Sequence, residues 1–228
     1  MFMQPDPICA AMNLEQARFN MVEQQIRTWE VLDQDVLDLM SIVKREEFVP
    51  AAWRNLAFAD AEIPLGHGAT MFAPKIEAHA LQALQLKRQE NVLEIGAGSG
   101  YMAALLAAHA HHVWSLEIVP ELAAMARDNL ARHGIGNVTV ETGDGIAGLP
   151  AHAPYDAIMV SAALPAVPQA LLDQLKVGGR LFAIVGTAPV MTAQVITRVT
   201  EDGYRSVNLF ETLVDPLQNA PAAAQFTF

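Results

Sequence analysis

From Asn91 onward the chain alternates short apolar runs with helical stretches, and this constrains its fold more than any other feature. "NVLEIGA" is an apolar run ending in glycine, followed by the helical "GYMAALLAAHA". "HHVWSLEIV" reads as a second strand, and "PELAAMARDNLARHG" as a helix that starts at proline and stops at glycine. "NVTVETGDG" is a third strand with its exit turn and "YDAIMVSAA" a fourth. "PQALLDQLKVGG" reads as a helix with a Gly-Gly stop, and "RLFAIVG" as a fifth strand. Such alternation implies parallel strands joined by right-handed crossovers, a doubly wound α/β sheet. The ending differs: "AQVITRVTEDGYRSVNLFETLV" holds two strand-like runs joined by "EDG", a hairpin signal. The expected sheet is therefore mostly parallel and seven-stranded, with a terminal antiparallel hairpin.

The first sixty residues read as helices. In "DQDVLDLMSIVKREEFVP", Val36, Leu37, Met40 and Val43 recur at helical spacing, with Asp33 and Asp35 where the helix dipole favours anions. Pro50 interrupts, "AAWRNLAFA" is another helical turn, and "AEIPLGHGAT" reads as a Pro/Gly loop. A helix resumes at Pro74 and runs to about Leu86, proline suiting its first turn. Hydrophobic residues make up 52% of the 228, ample for a packed core. The single cysteine, Cys9, excludes an internal disulfide framework and lies in a leader with no activating base. The start has no basic n-region or sustained apolar core, and no uncharged run is long enough to span a bilayer. A soluble cytoplasmic protein is the expectation. The net charge of -11 disfavours a nucleic-acid partner, because counterion release needs a clustered basic face. "QNAPAAAQFTF" reads as a loose tail.

The chemistry concentrates at successive strand ends. "VLEIGAGSG" places Gly96, Gly98 and Gly100 where a strand turns into a helix, so the backbone can approach a ligand closely and the helix N-terminus offers free N–H groups. A dinucleotide fingerprint is G-x-G-x-x-G; here the third glycine comes one residue early, which counts against NAD. That spacing, with the acid at Glu94, resembles an S-adenosylmethionine turn, and the parallel sheet ending in a hairpin resembles class I methyltransferases. Glu117 ends the second strand about 20 residues beyond the first glycine, where an acid accepts hydrogen bonds from ribose hydroxyls. Asp144 and Gly145, in "GDG", end the third strand, where an Asp can accept the adenine amino proton. Taken singly, each element could be an ordinary turn or a solvated acid; their order along the chain makes the case. His109, His111 and His112 have no matching Cys or carboxylate cluster, so no metal is expected.

From about Val31 to Pro216 the chain resembles protein-L-isoaspartate O-methyltransferases. The resemblance is carried by "KREEFVP", "IPLGHGAT", "VLEIGAGSGY", "EIVPELAAMARDNL", "GDG" and "APYDAIMVSAALPAVPQALLDQLKVGGRL". It implies methyl transfer from S-adenosylmethionine to the free carboxylate of abnormal aspartyl residues, the first step of protein repair. It also implies that Ala69, Thr70, Met71 and Phe72 lie between cofactor and acceptor, with Thr70 and Phe72 on the reacting side. Glu94, Gly96, Ala97, Gly98, Ser99, Gly100, Glu117, Ile118, Asp144, Gly145 and Ser161 would surround the cofactor, and "VSAA", ending at Ala163, would edge the acceptor pocket. Residues 1–73 would form a helical lid region and residues 74–228 the methyltransferase domain.

The chain departs from the family at one telling position. The family strip reads T-I-S-A-P or T-I-S-Q-P, with the serine regarded as the active-site residue; here "TMFAP" puts Phe72 in its place. Ala69 stands where glutamine is common, and Ser161 where Thr or Gly is usual. Phe72 either walls the acceptor pocket or turns into the core. Glu77 is either a cofactor contact or, by default, an exposed helical acid. Alternatives to isoaspartyl repair are a small-molecule acceptor, a protein that binds the cofactor without catalysis, and an oligomeric scaffold.

Overall fold

The computed structural model describes residues 7–220, with side chains from Leu14 onward. Its centre is a seven-stranded sheet of β3 (Asn91–Ile95), β4 (His112–Glu117), β5 (Val138–Thr142), β6 (Tyr155–Leu164), β7 (Leu175–Thr187), β8 (Val190–Arg198) and β9 (Tyr204–Thr212). The spatial order is β5-β4-β3-β6-β7-β8-β9. Pairs from β5 through β7 are parallel; β7–β8 and β8–β9 are antiparallel, so the chain ends in a meander. The order reverses between β3 and β6. Open sheets of this kind bind ligands at that switch point, beyond the strands' carboxyl ends.

Alternation along β3 separates two cores: Val92 packs with the large cluster on one face, Leu93 and Ile95 with the smaller cluster on the other. Helix α4 (Tyr101–His109) is buried from Tyr101 to Ala107 without interruption, as expected of a helix apolar on all sides. The N-terminal helix α1 (Pro7–Asn20) continues through a π-helical turn, Met21–Ile26. Cys9 belongs to α1, and its side chain lies outside the described residues. In α2 (Gln34–Ile42) the Asp33 carboxylate accepts the N–H of Asp35 at 3.0 Å, and Val36, Leu37 and Met40 are buried. Val43 lies one residue past the helix, as its cap. Met21, Ile26, Leu37, Met40 and Phe48 share the large core with Leu81 and Leu84 of α3 (Pro74–Leu84) and Leu105 of α4.

Every residue of "REEF" is tied into this assembly. Arg45 pairs with Glu77, Glu46 with Arg18, Glu47 with His133 at 2.7 Å, and Phe48 stacks on His133 with centroids 4.5 Å apart.

Four expectations need correction. The stretch read as a loop forms a two-stranded ribbon, β1 (Ile63–Gly66) against β2 (Ala69–Met71), in the register Ile63↔Met71 and Gly66↔Ala69. Its turn, His67-Gly68, has positive φ at both residues (55° and 74°), the geometry that matches strand twist in a two-residue hairpin. Short strands and Pro64 within one of them hide this pattern. The helix read in "PQALLDQLKVGG" is only one short turn, Gln169–Asp173; Leu175 already pairs with Tyr155, and Gly178-Gly179 lie in a β-bulge rather than at a helix stop. Gln174 ends the helix, its amide donating to Ala170 O at 2.7 Å and Ala147 O at 2.8 Å. The helix from Pro74 ends at Leu84, with Gln85 left-handed (φ 45°). Finally, the start of the tail is not loose: Gln218 and Asn219 are hydrogen-bonded, while residues 221–228 lie outside the described residues.

Candidate functional site

A cleft of about 660 Å³ opens at the switch point, over the carboxyl ends of β3, β4, β5 and β6. Its floor is the glycine turn, with Gly96 and Gly98. One side carries Glu117 and Ile118 from the end of β4, then Asp144 and Gly145 after β5; Ser161 comes from β6. The β1–β2 ribbon covers it with Ala69, Thr70 and Phe72. Beneath the ribbon a smaller cavity is bordered by Met71, Ala97, Ser99 and Glu77.

Backbone hydrogen bonds fix the site's carboxylates. Glu117 accepts the N–H of Gly98 at 2.8 Å on one oxygen and that of Val119 at 3.0 Å on the other, so its orientation is set before any ligand arrives. Asp144 accepts the N–H of Ile146 at 3.0 Å. At Gly98 (φ 51°) a Cβ would stand 2.9 Å from Leu65 Cδ1, so the Leu65 side chain would have to give way, and the left-handed backbone there favours glycine.

Most of the sequence candidates thus converge, but not all face the cleft. Glu94 borders neither cavity. It is fully buried below the turn, where Ser115 donates to one oxygen and Ser161 to the other at 3.5 Å. Gly100 serves as the N-cap residue of α4. Phe72, at 5% exposure, belongs to the core cluster and is also among the residues that line the cleft.

Glu77 contradicts its default reading. It is 2% exposed, and its carboxylate meets Arg45 Nε at 3.1 Å. Glu77, Leu81 and Leu84 share the buried face of α3, so the helical period carried the signal and only the residue type misled. Arg45 is 0% exposed and also donates to the carbonyls of Phe72 and Ala57 (2.6 Å to the latter).

Sequence reasoning missed the segment after β9. Asp215, Pro216, Leu217 and Gln218 line the cleft opposite the glycine turn. Ala163 N–H donates to Asp215 O (2.9 Å) and Leu217 N–H to Ala163 O (2.8 Å), which clamps the segment to the end of β6. Thr70 Oγ1 donates to Asp215 Oδ2 at 3.1 Å, and Asn219 Nδ2 to Asp144 Oδ2 at 3.1 Å. The "VDP" stretch has no periodicity to reveal it. Among the histidines, His112 contacts Thr139 and Trp114, and no group of three or more potential ligands is arranged for a metal among the described residues. No helix there is long and apolar enough to cross a membrane.

Comparison with known proteins identifies the family. The family model for protein-L-isoaspartate (D-aspartate) O-methyltransferase matches residues 16–214. The chain belongs to that family. Protein-L-isoaspartate O-methyltransferase 2 of Pelobacter propionicus is 44% identical over 209 residues, covering 91% of this chain and 93% of the relative. Protein-L-isoaspartate O-methyltransferase 1 of Rhodopseudomonas palustris is 47% identical over 201 residues, covering 88% and 82%. A crystal structure of the family from Plasmodium falciparum, in complex with S-adenosyl-L-homocysteine, shares the fold with a TM-score of 0.75 at 23% identity, covering 88% of this chain and 98% of that one.

This family member carries a buried acid ladder under its cleft. Burial pushes Glu94 up to about 8, with the charges of Glu117 and Glu77 adding to it and the Ser115 bond opposing. Burial pushes Glu77 up to about 7 against the pull of Arg45. A raised acid binds more protons folded than unfolded, so its contribution to stability is full below the ordinary carboxylate range and is lost as pH rises toward the folded value. The denaturation midpoint should therefore fall between pH 5 and 8.5. Glu94→Gln, which keeps an uncharged acceptor for Ser115, should flatten that fall; an unchanged slope in urea titrations would contradict the assignment.

Proposed function

We propose that the protein transfers a methyl group from S-adenosylmethionine to the free carboxylate of L-isoaspartyl residues in damaged polypeptides. The observation that carries this is one cleft in which the glycine turn, Glu117 and Asp144 face the ribbon residues Ala69, Thr70 and Phe72. The residues fit the cofactor: the turn approaches without side chains, Glu117 has free lone pairs for a ribose diol, and Asp144 can accept an amino proton. When bound, S-adenosylmethionine supplies a methyl group on a sulfonium that needs no further activation.

The protein's own work is binding, orientation and exclusion of water. Glu117 and Asp144 hold the adenosine, while Gly96, Ala97, Gly98, Ser99 and Ile118 shape its bed. Glu94 and Gly100 support the turn from behind. An acceptor carboxylate is already an anion at neutral pH, so the site requires no general base. Thr70, held by Asp215, and Ser161 offer hydroxyls near the acceptor side, and Met71 with Phe72 keeps the region dry. Within the lid region of residues 1–73 the ribbon and Phe72 provide this acceptor-side cover, joined by Asp215 from the domain of residues 74–228 that forms the cofactor bed. The net charge of -11 supports a polypeptide over a nucleic-acid acceptor, and one cysteine fits a cytoplasmic setting.

Release of labelled methyl from an isoaspartyl peptide, with its aspartyl isomer as control, tests this reading. A second reading, a flat small-molecule acceptor, is favoured specifically by an aromatic residue, Phe72, among those lining the cleft. Phe72→Ser restores a hydroxyl at that point, and one hydrogen bond to a charge is worth about 1.5–3 kcal/mol. Isoaspartyl turnover should rise at least about threefold even if only part of that is expressed in the transition state. A fall in turnover on an active wild-type background would favour the small-molecule acceptor. Calorimetric cofactor binding with no transfer to any acceptor would instead point to lost catalysis.

A further inference from the structure

A second cavity of about 820 Å³ shares Asp215 and Pro216 with the cleft. Pro165, Ala188, Met191, Leu213 and Val214 give it mostly apolar walls, and Glu62 stands at its edge just before β1. Glu62 Oε1 is buried with no hydrogen-bond partner. Among the described residues neither Glu62 nor Asp215 has an ion-pair partner, and no Lys, Arg or His lines either cavity. The two carboxylates sense each other: burial first, then the charge of Asp215, push Glu62 above the usual carboxylate range.

An acceptor carboxylate approaching Thr70 therefore meets a wall of its own sign, formed by Asp215 and Glu62 with Glu117 and Asp144 beyond. Like charges juxtaposed at an interface disfavour binding unless a cation lies between them. The cofactor's sulfonium offsets the reacting carboxylate alone, and no side chain lining either cavity carries a cation for Glu62 and Asp215, so the acceptor must bring one. A Lys or Arg side chain has the required form, an aliphatic stem for apolar walls and a charged head for carboxylates. In an extended chain adjacent residues lie within about 3.3–3.6 Å per residue, so a neighbour of the reacting residue can reach across Asp215.

We propose that this groove receives the polypeptide flanking the acceptor residue and selects a Lys or Arg there, its charge seated between Glu62 and Asp215. The inference rests on the carboxyl-methylation reading and adds a specificity to it. Three isoaspartyl peptides, alike except for Lys, Gln or Glu next to the isoaspartyl residue, test it by initial rates and by calorimetric binding in the presence of S-adenosylhomocysteine. Binding and kcat/KM should favour Lys over Glu by about tenfold at low salt, mainly through KM, and the gap should narrow as salt screens the charges. Glu62→Gln should bring the ratio toward one. Glu201→Gln, the same charge change at the exposed turn before β9, should leave it intact. Should Glu62→Gln fail to fold, Asp215→Asn is expected to lower the ratio in the same direction. Equal binding of all three peptides, or equal effects of the Glu62 and Glu201 variants, overturns the inference while leaving the methylation reading intact. No turnover of any peptide overturns the methylation reading, and the inference with it.

Discussion

Replacing Arg45 with Met should lower the unfolding free energy by about 3–5 kcal/mol near pH 8, where Glu77 is ionised against Arg45, the usual consequence of breaking a buried ion pair. For a chain of 228 residues this is a fall in Tm on the order of 10 °C. The size follows from what one guanidinium holds. It pairs with Glu77, caps the carbonyls of Ala57 and Phe72, and lies 5.7 Å from the centroid of the Tyr101 ring. Met fills comparable volume, so the loss reports polar groups stranded without partners rather than a cavity. Two further variants separate these contributions. Arg45→Lys keeps a charge for Glu77 but cannot reach all three acceptors at once, and should lose less than Met. Arg45→Met combined with Glu77→Met removes both charges, and should recover a large part of the loss. Calorimetric scans within about 3 °C of wild type for the single Met variant would show that the pair does not hold the ribbon to the core.

That pair also marks where the sequence was legible. Strand–helix alternation from Asn91 onward specified the parallel sheet, because a buried strand and a crossover helix have different periods and lengths. Gly96, Gly98, Glu117 and Asp144 could be assigned to one site because each ends or follows a strand, and parallel strand ends lie on one edge. Three features resisted for physical reasons. The β1–β2 ribbon has strands too short to show alternation, so its only signal was the His67-Gly68 turn. Glu77 occupies a core-facing helical position, but its partner Arg45 lies 32 residues away, and long-range ion pairs leave no local pattern. Asp215 reaches the cleft only because the segment after β9 folds back onto Ala163, a contact set by tertiary hydrogen bonds alone. The surprises thus sit on the ribbon side of the cleft, where Phe72 also lies. Cofactor cradles are built from local turn chemistry, whereas acceptor pockets are assembled from segments distant in sequence.

Glu117→Ala should weaken S-adenosylmethionine binding at least about a hundredfold. Glu117 is 6% exposed, and both carboxylate oxygens already accept a backbone N–H, from Gly98 and Val119. Those bonds aim its remaining lone pairs into the cleft and link the glycine turn to the end of β4. A ribose diol offers two donors, and each hydrogen bond to a charged acceptor is worth about 1.5–3 kcal/mol. Losing both therefore predicts a change of about two powers of ten or more, since about 1.4 kcal/mol corresponds to tenfold. Glu117→Gln should fall between wild type and Ala, because an amide retains one acceptor oxygen but turns an N–H toward Gly98 or Val119. Asp144→Asn should cost less than Glu117→Ala, since an Asn oxygen can still accept one amino proton. Titration calorimetry gives these affinities directly. Thermal shift gives an independent measure, because saturating ligand stabilises the fold by RT ln(1 + [L]/Kd) and that increment should collapse in the Ala variant. An affinity within threefold of wild type for Glu117→Ala would mean that the adenosine lies elsewhere, and the whole site would have to be reassigned.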